Sequence, residues 1–174
     1  MAEKFEAIVK ELALPMEQAW VVACDTAYTQ SMAHASALAE ALGWDRANEM
    51  LAKVWEQMGV NAAKTLLEQL KIEQRDASAP GKIIAFTVNN MFPEMKIEVV
   101  ELSPNRAVDI GRGRCPWVKA AKALGIEGKI DLARLCTAQV TGISNAANPK
   151  ISFEQKAGLC RGYEICHGVW EVRE

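Results

Sequence analysis

The sequence predicts an α+β fold: an N-terminal helical layer packed on an antiparallel sheet of about five strands, with two helices inserted before a C-terminal hairpin. Three observations predict it. Apolar residues recur at helical spacing up to residue 73, the period shortens toward two after Pro80-Gly81, and Ile151 to Val172 folds on paper into a hairpin with one apolar face. A chain of 174 residues, 50% of them hydrophobic, holds one substantial core and is short for two. One domain is therefore expected over residues 1–174, with the helical layer at 1–73 and the sheet with its inserted helices at 82–174.

Taken in order, Phe5, Ile8, Val9 and Leu12 share one helical stripe that Pro15 interrupts. Met16 to Leu42 is rich in Ala and Met with few charges, which predicts a long, mostly buried helix stopped by Gly43. Asp45 is the expected cap of the next helix, which carries Ala47, Met50, Leu51, Val54 and Met58; Gly59 ends or bends it before Ala62 to Leu70. Ile84, Phe86 and Val88, followed by Met95, Ile97 and Val99, alternate as a hairpin would, and Ala107 to Gly111 reads as a third strand. Pro116 then opens a helix that Gly125 closes, and Asp131 to Ser144 forms a second one ended by Asn148-Pro149. In the final hairpin, an Arg161-Gly162 turn pairs Ala157 with Cys166, Phe153 with Trp170 and Ile151 with Val172.

Charge narrows the partners. Twenty Lys and Arg nearly balance 22 Asp and Glu, for a net charge of -2, without the basic excess that a phosphate backbone calls for. The start lacks a basic segment followed by an apolar run, and no later stretch supplies about 18 uninterrupted apolar residues. The expectation is a cytoplasmic protein with no nucleic-acid or membrane partner. Met16, Met32, Met50, Met58, Trp20, Trp44 and Trp55, at helical spacing, are expected in the core or at a homodimer interface.

Candidate chemistry concentrates in the last third, which holds four of the five cysteines. Cys115 stands at a helix start beside Arg112 and Arg114, a setting that lowers a thiol pKa. Cys115, Cys136 and Cys166 are able to face one pocket, as nucleophile or as zinc ligands, although no Cys-x-x-Cys spacing supports a metal. Strand alternation turns Cys160 to the opposite face and leaves His167 on the polar side. Arg112, Arg114 and Arg161 suit a carboxylate or phosphate on a small molecule. Tyr28 and His34, in a polar patch of the long helix, and Trp117 complete the candidate ligand contacts. Each also has a plainer reading: buried small thiols, solvated turn arginines and a satisfied core hydrogen-bond network.

Cys115-Pro116-Trp117, the helical Cys136, Asn148-Pro149, the strand containing Phe153, and Arg161-Gly162 followed by Cys166 resemble the L-2-amino-thiazoline-4-carboxylic acid hydrolases. The final hairpin is similar to vinyl-4-reductase-like small-molecule-binding domains. In this chain the run before the cysteine is Gly162-Tyr163-Glu164-Ile165-Cys166, where that family usually has Gly-Asp close to it. The resemblance implies a cytosolic, often dimeric α+β protein; the cofactor expected is none, or zinc. It also implies a hydrolase adding water at the ring carbon between sulfur and nitrogen, with Cys115 or Cys166 activating the attack and an arginine holding the carboxylate. The competing expectation is a non-enzymatic small-molecule sensor, with zinc as a structural element.

Overall fold

The computed structural model describes residues 14–173; the helix expected over residues 3–13 lies outside them. Helices α1 (Met16–Leu42) and α2 (Trp44–Gln69) come first, then α3 (Ser78–Met91) and strands β1 (Met95–Leu102) and β2 (Arg106–Gly113). Helices α4 (Pro116–Ala123) and α5 (Leu132–Ala147) precede β3 (Ile151–Ala157), a short 3-10 turn at Leu159–Arg161, and β4 (Cys166–Val172). The described strands form one antiparallel sheet in the order β1-β2-β4-β3, with helices packed against it. The α+β class and the two inserted helices agree with the sequence reading.

Gly43 separates α1 from α2 with a φ of 76°, a left-handed conformation that glycine adopts without steric cost. Asp45 does not cap α2; it lies inside the first turn, and Gly43 is the capping residue. Nor does Gly59 end the helix. A Cβ there would stand 2.0 Å from the Gln139 carbonyl oxygen of α5, and one at Gly142 would stand 2.1 Å from that of Glu56. The paired glycines let the two backbones touch, which explains their presence inside helices that would otherwise prefer alanine.

The run Ile84-Phe86-Val88 is helical, so the sheet has four strands where about five were expected. Asp76 starts α3: its Oδ1 accepts hydrogen bonds from the backbone N–H and the hydroxyl of Ser78, at 2.9 and 2.6 Å. Pro80 suits the first turn of that helix, and Ala79 and Ile83, one turn apart, enter the core. The alternation was an accident of neighbouring apolar residues. At its other end Asn89 clamps the helix to β1, exchanging two hydrogen bonds with the backbone of Ile97.

Two hydrophobic clusters result. One lies between α2, α3, α5 and the sheet, around Ile83, Ala107, Ile143, Ile151 and Trp170. The other lies between α1, α2, α4 and α5, around Met32, Trp55, Ala121 and Leu135. Buried Asn48 ties the connection before α5 to α2, donating to the Lys129 carbonyl and accepting from the Asp131 N–H, both at 3.0 Å. The Met and Trp residues divide: Met32 and Trp55 are buried, whereas Met16, Trp20, Met50 and Met58 are exposed.

Candidate functional site: a thiol cluster beside a buried carboxyl

The sheet face that meets the helices carries rows of paired side chains. Ile151 pairs with Val172, and Phe153 with Trp170, as expected from the sequence. Beyond them a β-bulge between Gln155 and Ala157 shifts the register, so Ala157 pairs with His167 instead of Cys166. The connection is longer than the two-residue turn at Arg161-Gly162, and its 3-10 turn removes Cys160 from the ladder.

That change overturns the placement of Cys160. Out of the ladder, it no longer obeys strand alternation; it folds back on the second hydrophobic cluster, close enough to Cys136 of α5 for each thiol to shift the other's acidity. Gln155 spans the pair, its Oε1 and Nε2 lying 3.9 Å from the sulfurs of Cys160 and Cys136 respectively. Gly158 leaves room for this bridge: a Cβ there would approach the Gln155 amide nitrogen to 2.8 Å and the Cys160 sulfur to 3.1 Å, so one of the two side chains would have to move. Cys166 accepts the Leu159 N–H at 3.5 Å, and Cys115, the residue capping α4, is close enough to act electrostatically on Cys136 and Cys166.

These thiols are not equivalent. Burial raises the pKa of Cys115, outweighing the Val118 and Trp117 N–H groups at the helix start that lower it. The activation expected from the helix terminus and its arginines is therefore overridden by desolvation. Burial also pushes Cys166 up to about 11. Cys136 is raised by its interaction with Cys160 and by burial. Cys160 alone moves down, held there by its interaction with Cys136 and assisted by the Arg161 charge.

Cys115, Cys136 and Cys166, the set considered for zinc, do come together. Among the described residues no group of three or more His, Cys, Asp or Glu side chains is arranged to hold a metal ion.

The ligand candidates divide as well. Tyr28 meets Trp117 edge-on at 4.4 Å and Phe92 at 5.6 Å, and Trp117 tilts against Trp55 at 4.4 Å. This aromatic wall adjoins Cys115, whose charge joins burial in raising the Tyr28 pKa. Arg161 is exposed beside Cys160. Arg112 is exposed on the sheet face opposite Asp109 and Gly111, and Arg114 reaches Glu94 at 3.4 Å. His34 is exposed on α1, away from the buried stripe of Met32, Ala35 and Ala39. The structure thus brings Tyr28 and Trp117 together with the thiols, with Arg161 at the edge, and does not bring Arg112 or His34 there.

Sequence reasoning missed Asp109. It is 3% exposed, and its Oδ1 accepts the Gly168 N–H of the paired strand at 3.0 Å. Desolvation raises its pKa to about 7, against which the Gly168 hydrogen bond works. The available signal was its position: a lone acid in Ala107-Val108-Asp109-Ile110-Gly111, on the same strand face as two small residues.

The sequence profile of L-2-amino-thiazoline-4-carboxylic acid hydrolase matches residues 23–170. No curated protein matches the chain. Among solved structures, the chain is similar to the phenol-responsive sensory domain of the transcription activator PoxR with phenol. The TM-score is 0.63 at 12% identity, covering 83% of this chain and 74% of that one. It is also similar to a trafficking protein particle complex subunit 3 from Naegleria fowleri covalently bound to palmitic acid. There the TM-score is 0.58 at 14% identity, covering 88% of this chain and 96% of that one. At such identities the two structures speak for the fold, and no helix among the described residues is long and apolar enough to cross a membrane. A profile that spans the helices, the sheet and all five cysteines carries the assignment: the chain belongs to the L-2-amino-thiazoline-4-carboxylic acid hydrolase family.

Proposed function

We propose that the thiol cluster is the active site of a hydrolase acting on a small carboxylated heterocycle or amide-like carbon–nitrogen bond, with a 2-amino-thiazoline as the leading substrate class. The carrying observation is the pair of thiols bridged by the Gln155 amide, Cys136 and Cys160, of which Cys160 alone has a lowered pKa. In this reading the Cys160 thiolate adds to the ring carbon between sulfur and nitrogen. The carbon–sulfur bond of the ring breaks, and the departing sulfur takes a proton from a neighbouring thiol, Cys166 or Cys115, both held protonated by burial. Water then adds to the S-linked carbon and expels the Cys160 thiolate, leaving an N-carbamoyl product and returning the proton to the donor thiol. Arg161 is the cation for the substrate carboxylate, and Tyr28 and Trp117 wall the ring.

The test is turnover of L-2-amino-thiazoline-4-carboxylate, followed by mass spectrometry of the N-carbamoyl product. Cys160→Ser is expected to abolish turnover while Cys115→Ser and Cys166→Ser slow it. Full activity in Cys160→Ser rejects the nucleophile assignment, and no turnover by the wild type rejects the substrate class.

A second reading is a non-enzymatic small-molecule sensor, favoured by the aromatic wall of Tyr28, Phe92, Trp117 and Trp55. It expects an apolar molecule retained through purification and visible by native mass spectrometry. Both readings take the chain as a cytoplasmic homodimer, for which exposed Met50, Val54 and Met58, one turn apart on α2, offer an apolar stripe. The same spectrum reports the dimer mass.

A further inference from the structure

Four thiols from four separate elements meet in one region: Cys115 before α4, Cys136 inside α5, Cys160 in the 3-10 turn and Cys166 at the start of β4. The proposed hydrolysis takes one as nucleophile and another as proton donor, and it leaves Cys136 without a chemical step. Cys136 is nevertheless the thiol set most directly against Cys160. The two sulfurs lie against neighbouring atoms of one amide, Cys160 3.9 Å from Gln155 Oε1 and Cys136 3.9 Å from its Nε2. That amide belongs to a side chain 9% exposed, and among the described residues it has no other hydrogen-bond partner. Cα atoms of α5 and of the turn come within 8 Å of each other, close to the span of about 4.4–6.8 Å that a disulfide bridges.

Two further features suit this pair to oxidation. Cys160 is partly exposed, in a turn that continues through exposed Arg161, Gly162 and Tyr163, so a small oxidant reaches its sulfur. Drawing the two sulfurs together asks movement of that surface turn, not of the helix or the ladder. The acidities are also in the required order: Cys160 is lowered to about 7, whereas Cys136 is raised, chiefly by Cys160. Cys115 and Cys166 act on Cys136 only through their charge. An accessible, acidic thiol beside a second thiol is the arrangement of a reversible redox site. Oxidation of Cys160 removes the negative charge that Cys136 faces, so the second thiol is freed to ionise only once the first has reacted.

We propose that Cys160 and Cys136 form a peroxide-sensitive modification site, in which Cys160 is the thiol oxidised and Cys136 the thiol that resolves it into a disulfide. The oxidant is a hydroperoxide. The Cys160 thiolate attacks one peroxide oxygen, the O–O bond breaks, and the departing hydroxide takes up the proton Cys160 has released, leaving a sulfenic acid on Cys160 and one water. Cys136 then attacks the Cys160 sulfur. An S–S bond forms, the S–O bond breaks, and the hydroxyl leaves with the Cys136 proton as a second water. Two electrons pass from the sulfurs to the peroxide, and a dithiol reductant returns them by thiol–disulfide exchange. The modification itself needs no hydrolase; that it silences turnover rests on the hydrolase reading, in which Cys160 is the nucleophile.

The experiment treats the reduced wild type with a small molar excess of hydrogen peroxide near neutral pH, blocks remaining thiols with iodoacetamide and maps tryptic peptides without reduction. Arg134, Lys156 and Arg161 place the four thiols on separate peptides, so each link is assigned without ambiguity. The expected product joins the Cys136 and Cys160 peptides, with the loss of two hydrogen atoms, and dithiothreitol reverses it. Cys136→Ser should stop at the Cys160 sulfenic acid, captured by dimedone. Should that variant unfold, the wild-type map decides alone. A link through Cys115 or Cys166, a sulfenic acid that persists on wild-type Cys160, or a Cys160 that stays reduced overturns the proposal. Turnover of the thiazoline should fall in step with the linked fraction and return with dithiothreitol. Because the link is read without turnover, a Cys136–Cys160 disulfide in a protein that does not hydrolyse thiazolines sinks the hydrolase reading and leaves the redox site standing. Turnover in a protein that forms no such link does the reverse.

Discussion

Cys136 and Cys160 face each other across the gap between α5 and the β3–β4 connection, bridged by the Gln155 amide at 3.9 Å from each sulfur, and their interaction moves their acidities in opposite directions. The interaction favours the thiolate at Cys160 and the thiol at Cys136. The pair joins a rigid helix to a turn that the β-bulge has released from the ladder, so a local backbone irregularity selects which of the clustered thiols ionises first.

Alkylation tests this ordering. Peptide mapping after brief iodoacetamide treatment near neutral pH is expected to show Cys160 labelled ahead of Cys115, Cys136 and Cys166. Cys136→Ala removes that interaction, so the Cys160 pKa should rise and its labelling at pH 7 should slow by roughly threefold or more. Preferential labelling of Cys115 would reverse the assignment of the nucleophile.

Arg161 bears on both acidity and recognition, since its charge contributes to lowering Cys160. Arg161→Gln is predicted to raise KM for the carboxylated substrate by about tenfold, the worth of about 1.4 kcal/mol. It should also shift the alkaline side of Cys160 labelling upward. A thiazoline lacking the carboxylate should lose the KM effect and keep the labelling shift, which separates the two roles.

Asp109 makes stability depend on pH. Its folded-state pKa is raised from 3.8 to about 7, so the folded protein holds a proton that the unfolded chain has released. Stability is therefore predicted to fall as pH rises from about 4 to about 7, with no further fall from this group above that. The full difference is roughly 4 kcal/mol at 1.36 kcal/mol per pH unit. Urea denaturation of wild type and Asp109→Asn across this range should show the slope shrinking in the variant, and identical slopes would count against the buried carboxyl.

Gly142→Ala tests the helix contact that supports Cys136. The new methyl would meet the Glu56 carbonyl oxygen at 2.1 Å, backbone that has no side-chain freedom to yield. A loss of about 1–3 kcal/mol or more in urea denaturation is expected, as for other overpacked cores. Gly128→Ala, with nothing within 4 Å of the added Cβ, serves as the near-neutral control.

Local patterns along the chain already determined much of the fold. Gly43 and Gly125 stop helices, Pro116 starts one, Asp131 caps α5 by accepting the Arg134 N–H at 3.0 Å, and Phe153 faces Trp170 across the hairpin. Each is dictated by a residue's own backbone preference or by alternation between near neighbours, so it is readable without knowing what packs above. The placing of Cys115 at a helix start, Cys136 inside a helix and Cys166 on a strand was legible in the same way.

Tertiary structure decided the rest. The Ile84–Val88 run became helical because Asp76 fixes Ser78 at the helix start with two hydrogen bonds and the core accepts Ala79 and Ile83 one turn apart, neither of which a period-two pattern reveals. Cys160 joined the cluster because the chain leaves the ladder after Ala157 and turns through Leu159–Arg161, where strand alternation no longer decides which way a side chain faces. Asp109 acquired its significance only when Gly168 was found opposite it, since burial and the absence of a cation are properties of the surroundings, not of the residue. The sequence by itself determined most of the elements; packing determined which thiol has its acidity lowered and which carboxyl has its raised pKa, because desolvation and hydrogen bonding set acidity only after distant segments meet.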